Sequence, residues 1–146
     1  MQPILVPVDD SDCSLRALDF AVELASSLGA GIVVCHVLEL SRAAVMTGGQ
    51  AQLIPESLDL LRTEGKDIVD RAVARASAKV HATPAMPEGA PVEQIENLAT
   101  ELSPIFIVLG SHGRTGLDRL VMGSVAEGVV RAAPVPVMVF PCRHRA

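Results

Sequence analysis

Residues 110–124 read GSHGRTGLDRLVMGS, with glycine at 110, 113, 116 and 123, directly after the apolar run PIFIVL. Glycine lets the backbone take φ > 0 and lets a ligand approach the main chain closely. Successive N–H groups in such a loop can form a concave nest for an anion. Gly123-Ser124 then opens SVAEGVVRAA (124–133), a run with helical spacing. A helix start offers unpaired N–H groups and a partial positive charge. Ser124 adds a hydroxyl at the same point. These parts suit the holding of a phosphate chain. The plain alternative is that the glycines serve the turn and Ser124 caps the helix. Their combination after a buried strand favours a ligand.

Two familiar phosphate loops do not match. G-x-x-x-x-G-K-[ST] needs a lysine before its hydroxyl residue, and Met122-Gly123-Ser124 has none. The dinucleotide fingerprint G-x-G-x-x-G belongs after the first strand, where VDDSDCS has no glycine. A pyrophosphatase-type loop fails for the same reason.

The elements that must position the loop follow from periodicity. PILVPV (3–8), IVVCHVL (32–38), IFIVLG (105–110) and VPVMVF (135–140) are short apolar runs of the kind found in strands buried on both faces. VHATPAMPEG (80–89), with two prolines, predicts a strand near a sheet edge. Between them lie amphipathic runs. In SLRALDFAVELASSLG, residues Leu15, Leu18, Val22, Leu24, Ala25 and Leu28 mark an inner stripe, and Gly29 and Gly31 stop the helix. Residues 41–55 are irregular. Residues 56–80 form a charged helix with Leu58, Leu61, Ile68, Val69, Ala72 and Val73 inward, and Gly65 weakens it by roughly 1 kcal/mol relative to Ala. APVEQIENLATELS (90–103) is a helix with Pro91 in its first turn. The alternation predicts an α/β fold, a parallel sheet with helices on both faces and right-handed crossovers. Ligands of such sheets sit beyond the carboxyl ends of the strands, near a switch in strand order.

The chain has 146 residues, which suits a single domain over 1–146. The net charge of −5 argues against a nucleic-acid binder. With three Phe and no Tyr or Trp, base-stacking platforms are missing too. No apolar run reaches the roughly 18 residues of a membrane span. MQPILVPVDD lacks the charged stretch and apolar length of a signal peptide. Three cysteines, Cys13, Cys35 and Cys142, are odd in number and widely spaced, which fits a reducing cytoplasm better than a disulfide framework.

The spacing G-x2-G-x9-GS over 110–124 resembles the nucleotide-binding signature of the ATP-binding universal stress proteins. ILVPVDDSDCSLRALDFAVELA, VVCHVLE and GSVAEGVVRAAPVPVMVF are similar to the same family, so the resemblance spans nearly the whole chain and is weakest at 41–89. It implies a five-stranded parallel sheet of order 3-2-1-4-5, of the adenine nucleotide alpha hydrolase-like kind. It also implies a homodimer and ATP, with Mg²⁺, at the carboxyl ends of the central strands. Carried over by position, Pro7 and Val8 line the nucleoside pocket and Asp9 hydrogen-bonds adenine or ribose. Val37 meets adenine through its backbone. Gly110 lies against the ribose. Gly113, Gly123, Ser124 and Val125 hold phosphates, within reach of His112 and Arg114. Gly128 departs from the family, where a longer residue is common, and is expected to weaken its helix locally. The dimer is expected through antiparallel pairing of 135–140, an apolar strand that would be a liability as an uncovered edge.

The remaining candidates have plainer readings. Asp9 can cap the first helix, although Asp10, Ser11 and Asp12 are better placed to do so. His36, His81 and His144 show no ligand spacing and read as structural or solvated. Cys13, near a helix start, is either a thiol of lowered pKa or an inert one. Asp118 and Arg119 read as solvated loop, and Met122 and Met138 as packing. The functional expectation is a cytoplasmic, nucleotide-dependent stress-response or regulatory module, acting as a homodimer toward a protein partner the sequence does not identify. The alternative is a slow Mg²⁺-dependent ATPase or nucleotidyl-transfer enzyme using Arg114 or His112. A third reading is a structural dimer that binds no nucleotide. Phosphate hydrolysis needs an oriented water and charge stabilisation, and the loop has neither a lysine nor a clear base.

Overall fold

Short runs of β-branched and other apolar residues form strands because such side chains pack well on both faces of a pleated sheet. In the computed structural model, which describes residues 1–41, 55–113 and 122–142, these are β1 (Ile4–Pro7), β2 (Ile32–Cys35), β4 (Ile107–Gly110) and β5 (Val137–Phe140). The proline-bearing segment supplies β3 (Ala82–Ala85). All pairs are parallel, and the order is β3-β2-β1-β4-β5. β3 lies at an edge, where Pro84 is tolerated for want of a neighbour on its outer side.

Among the described residues four helices cover the sheet: α1 (Asp12–Leu28), α2 (Pro55–Ser77), α3 (Pro91–Leu102) and α4 (Ser124–Ala132). Side chains alternate across a strand. Ile4, Val6, Ile32 and Val34 therefore meet Leu18, Val22, Ile68 and Ala72 of α1 and α2. Leu5, Cys35, Ile107 and Leu109 meet Ile95, Ala99, Ala126 and Val129 of α3 and α4.

Helix ends follow local chemistry. Ser11 caps α1 by accepting the Ser14 N–H at 3.1 Å, and Gly29 closes it at φ 66°. Pro91 opens α3. The sequence stripe of α1 needs one correction: Leu28 is 47 % exposed, while Ala17 and Ala21 are fully buried. Small residues let α1 lie close to the sheet, and a stripe drawn from large residues overlooks them. On the outer side, both guanidinium contacts from Arg75 to Asp19 measure 2.6 Å, and Lys79 pairs with Glu23, tying α2 and the turn after it to α1. The Arg75 hydrogen bonds hold the Asp19 carboxyl below its ordinary pKa.

Two glycines play a different part from the one their helices suggested. A Cβ at Gly65 would run into the Leu38 side chain and stand 3.1 Å from the His36 ring. Leu38 is 1 % exposed and has little room to yield. Gly65 is thus where α2 closes on the end of β2. Gly128 likewise lets α4 approach α3, since a Cβ there would stand 2.6 Å from Val92 Cγ2.

The expectation of three free thiols is overturned. Cys13 and Cys142 form a disulfide with their Cα atoms 5.5 Å apart although they stand 129 positions apart in sequence. Chain spacing is silent about such a contact, because β4 carries the first turn of α1 and the end of β5 to the same place. Cys35 is the free cysteine, and it is buried.

Replacing Gly65 by Ala separates propensity from packing. Propensity alone gives a gain of up to about 1 kcal/mol. Overpacking against Leu38 and His36 costs roughly 1–3 kcal/mol. Denaturant unfolding of Gly65→Ala is therefore expected to show net destabilisation.

Candidate functional site

The strand order places β1 between β2 and β4, so the chain leaves β1 in one direction for β2 and later returns on the other side for β4. This is the switch point at which open α/β sheets bind ligands. β1 is in register with β2 over four residue pairs and with β4 at Leu5–Ile107. Beyond the carboxyl ends of these strands lies a cavity of about 480 Å³, within the usual range for small-molecule sites.

Of the expected site residues, Pro7, Val8 and Asp9 line this cavity from the turn after β1 and Val37 from the turn after β2. Gly110, His112 and Gly113 line the loop side, and Gly123, Ser124 and Val125 the helix side. Arg114, together with Gly116, Asp118 and Arg119, lies outside the described residues. His144 and residues 42–54 do too.

The two ends differ in chemistry. Pro7, Val8, Val37, Ile95 and Leu109 give one end apolar walls. His36 and Leu38 donate their main-chain N–H groups to Ala85 and Pro87 on the β3 side, at 3.0 and 2.8 Å. Successive residues of an extended chain face opposite sides, so the Val37 main chain turns toward the cavity. The buried His36 ring donates from Nδ1 to the Val8 carbonyl at 2.8 Å and fixes the turn after β1. Its structural reading holds, although it also borders the cavity.

At the other end two helices begin, and their first turns are satisfied differently. α1 has its own cap in Ser11, which Asp9 supports by accepting the Ser11 N–H at 3.0 Å and its hydroxyl at 2.5 Å. Asp9 is thus not the cap itself but the residue that holds it. α4 starts at Gly123 with no side-chain cap. The residues that carry its first N–H groups, Ser124, Val125 and Ala126, border the cavity. The glycines bring the walls together: a Cβ at Gly113 would stand 2.5 Å from Asp9 Oδ2, and one at Gly123 3.1 Å from the Ser111 carbonyl.

Residues 1–141 match the family described as the Universal stress protein family. The chain belongs to this family. Universal stress protein MJ0531 of Methanocaldococcus jannaschii is 34% identical over 140 residues, covering 93% of this chain and 79% of that protein. The structure of MJ0577, called a hypothetical protein, superposes with a TM-score of 0.85 at 23% identity over 99% of this chain and 98% of the other, a likeness of fold. A universal stress protein from Archaeoglobus fulgidus, solved in complex with dAMP, has a TM-score of 0.71 and 28% identity over 95% of this chain and 97% of its own.

Sequence reasoning missed Ser111 in this universal stress protein. Its N–H donates to the Phe140 carbonyl at 2.9 Å, and its carbonyl accepts the Gly123 N–H at 2.7 Å. Its hydroxyl accepts the Cys142 N–H at 3.1 Å and is hydrogen-bonded to His112 Nδ1 at 2.9 Å. Ser111 therefore joins β4, β5 and the start of α4. The available signal was a hydroxyl residue immediately after the strand. Ser14 was missed as well: it borders the cavity, is buried in the first turn of α1 and accepts the Asp9 N–H at 3.2 Å.

Cys35 also borders the cavity, but burial raises its thiol pKa to about 12. At pH 8 it is a thiol and a poor nucleophile. Mass spectrometry after iodoacetamide treatment at pH 8 is expected to find Cys35 unlabelled in the native protein and labelled after unfolding.

Proposed function

We propose that this chain binds ATP at the cavity between β1 and β4, with adenine at the apolar end and the phosphates on the glycine loop and the start of α4. The observation that carries the reading is the start of α4, whose cap residue Gly123 offers its first turn no side chain, beside the glycine loop on the same cavity in which Val37 turns its main chain inward. A helix N-terminus with free N–H groups favours phosphate, and glycines let the main chain wrap it without a lysine. The dAMP complex of the Archaeoglobus fulgidus relative supports an adenine nucleotide as the ligand class. In this reading Asp9 meets the nucleoside and His112 the phosphates, and the family resemblance assigns Arg114 a phosphate contact as well.

Mg²⁺ fits as part of the nucleotide. Among the described residues no group of three or more His, Cys, Asp or Glu could hold a metal by itself. Mg²⁺ commonly keeps several waters and is held by phosphate oxygens with one or two carboxylates. Among the described residues, Asp9 and Glu39 are the carboxylates bordering the cavity. The metal would neutralise phosphate charge.

The role is regulatory: ATP favours one conformation of the dimer, which a protein partner reads. Titration of the purified protein with ATP and Mg²⁺ tests the site. The Gly113→Val, Gly123→Val double variant is expected to bind at least about tenfold more weakly, roughly 1.4 kcal/mol or more, because its side chains occupy the space before Asp9 and Ser111. Equal binding by both proteins would refute the site. The enzymatic reading makes a separate demand: steady ATP turnover that is lost in His112→Ala or Arg114→Ala. We expect turnover no faster than in buffer.

The dimer is proposed through 135–140, with β5 as the edge strand that pairs across a two-fold axis. Pro136 and Phe140 direct their carbonyls to Ile107 and Ser111 at 2.9 Å. Val137 and Val139, being alternate residues, turn their main-chain groups to the open side. Val137→Pro removes one open-side donor per subunit and leaves the β4 pairing intact. Light scattering is expected to show a dimer for the parent chain. For the variant the dissociation constant should rise by about tenfold or more, from two lost hydrogen bonds of roughly 0.5–1.5 kcal/mol each.

A further inference from the structure

The Cys13–Cys142 disulfide lies against the loop side of the cavity. A Cβ on Gly110 would stand 2.6 Å from Cys13 Sγ, so the sulfur is packed against the point where β4 becomes the glycine loop. On the other side Cys142 donates its N–H to Ser111 Oγ, and the same hydroxyl is bonded to His112 Nδ1. The Ser111 carbonyl in turn holds the Gly123 N–H at the start of α4. One covalent bond thus closes a ring through the first turn of α1, the exit of β4 and the end of β5. The atoms it immobilises are those around which the phosphate end of the site is built.

We infer that Cys13–Cys142 is a reversible redox clasp that sets nucleotide affinity by holding Ser111, His112 and Gly123 in place. The inference rests on the nucleotide reading above. Reduction needs a small dithiol. One of its thiolates attacks Sγ of Cys142, the less buried of the two residues. A mixed disulfide forms there, and Cys13 leaves as a thiolate that takes up a proton. The first turn of α1 favours that leaving thiolate. The second thiol of the reductant attacks the mixed disulfide, closes a cyclic disulfide and releases Cys142 as a thiol. Two electrons pass to the protein and two thiols result. A small-molecule disulfide reverses the exchange and re-forms the bond. With the clasp open, Cys142 is held near Ser111 by a hydrogen bond in place of a covalent ring, and the cost of ordering the loop falls on ligand binding.

The test is ATP titration, with Mg²⁺, of the protein oxidised, reduced with dithiothreitol, and re-oxidised with oxidised glutathione. Amide hydrogen exchange is followed at Ser111, His112 and Gly123. Reduction is expected to weaken ATP binding at least fivefold, and re-oxidation to restore it. Cys142→Ser, with an unfolding transition that stays cooperative, should show the reduced affinity in both conditions and no response to reductant. Equal affinity in the oxidised and reduced protein overturns the clasp. So does a loss that re-oxidation does not restore. If neither form binds ATP, the nucleotide reading fails and the exchange data decide the clasp alone: faster exchange at those amides on reduction supports it, and unchanged exchange overturns it.

Discussion

The position of β1 between β2 and β4 is the constraint on which the site depends. A right-handed crossover carries the chain from β1 to β2, and the later crossover to β4 must go to the other side of β1. The helices following β1 and β4 therefore start on opposite faces of the sheet and diverge. The crevice between them is a consequence of topology rather than of any one side chain. Its walls are the turns Pro7–Asp9, His36–Val37 and Gly110–Gly113, all at carboxyl ends of strands. Core packing on both faces holds the arrangement rigid: Ile4, Leu5 and Val6 have no exposed surface at all.

Close approach is the second requirement, and it falls on small residues. Ala17 and Ala21 bring α1 onto the sheet, and Gly65 brings α2 onto the end of β2. Gly113 lets the loop come to Asp9. In each case the missing side chain matters more than a present one. A helix drawn from its large apolar residues is displaced outward from where it actually lies.

Polar groups near the crevice divide into those satisfied within the fold and those left facing the cavity. Ser11 accepts the Ser14 N–H in the first turn of α1, and Asp9 and Ser14 bond the turn that leads into it. His36 holds the Val8 carbonyl. Ser111 binds strands and loop together through four hydrogen bonds. The cap residue of α4, Gly123, has no side chain with which to do as Ser11 does for α1. That asymmetry between two neighbouring helix starts gives the cavity its direction, apolar at the Val37 end and anion-favouring at the Ser124 end.

Much of this was determined by local sequence. Apolar runs of strand length, the stop at Gly29, Pro91 in a first turn and the prolines around β3 each act through their own residue's backbone chemistry, so the element order was legible. The glycine loop, with the family resemblance that carried positions after β1 and β2 into the same site, also marked ten lining residues of one cavity before any contact was known. The tertiary structure decided what depends on distance between remote segments. Gly65 reads as a weak point of a helix until Leu38 and His36 stand against it. Ser111 reads as a loop serine until β5 and α4 meet it. Cys13 and Cys142 read as separate thiols until β4 brings their Cα atoms within 5.5 Å. Propensity and periodicity are properties of neighbours along the chain, whereas packing, remote hydrogen bonds and disulfides arise only once the crossovers have set which segments are neighbours in space.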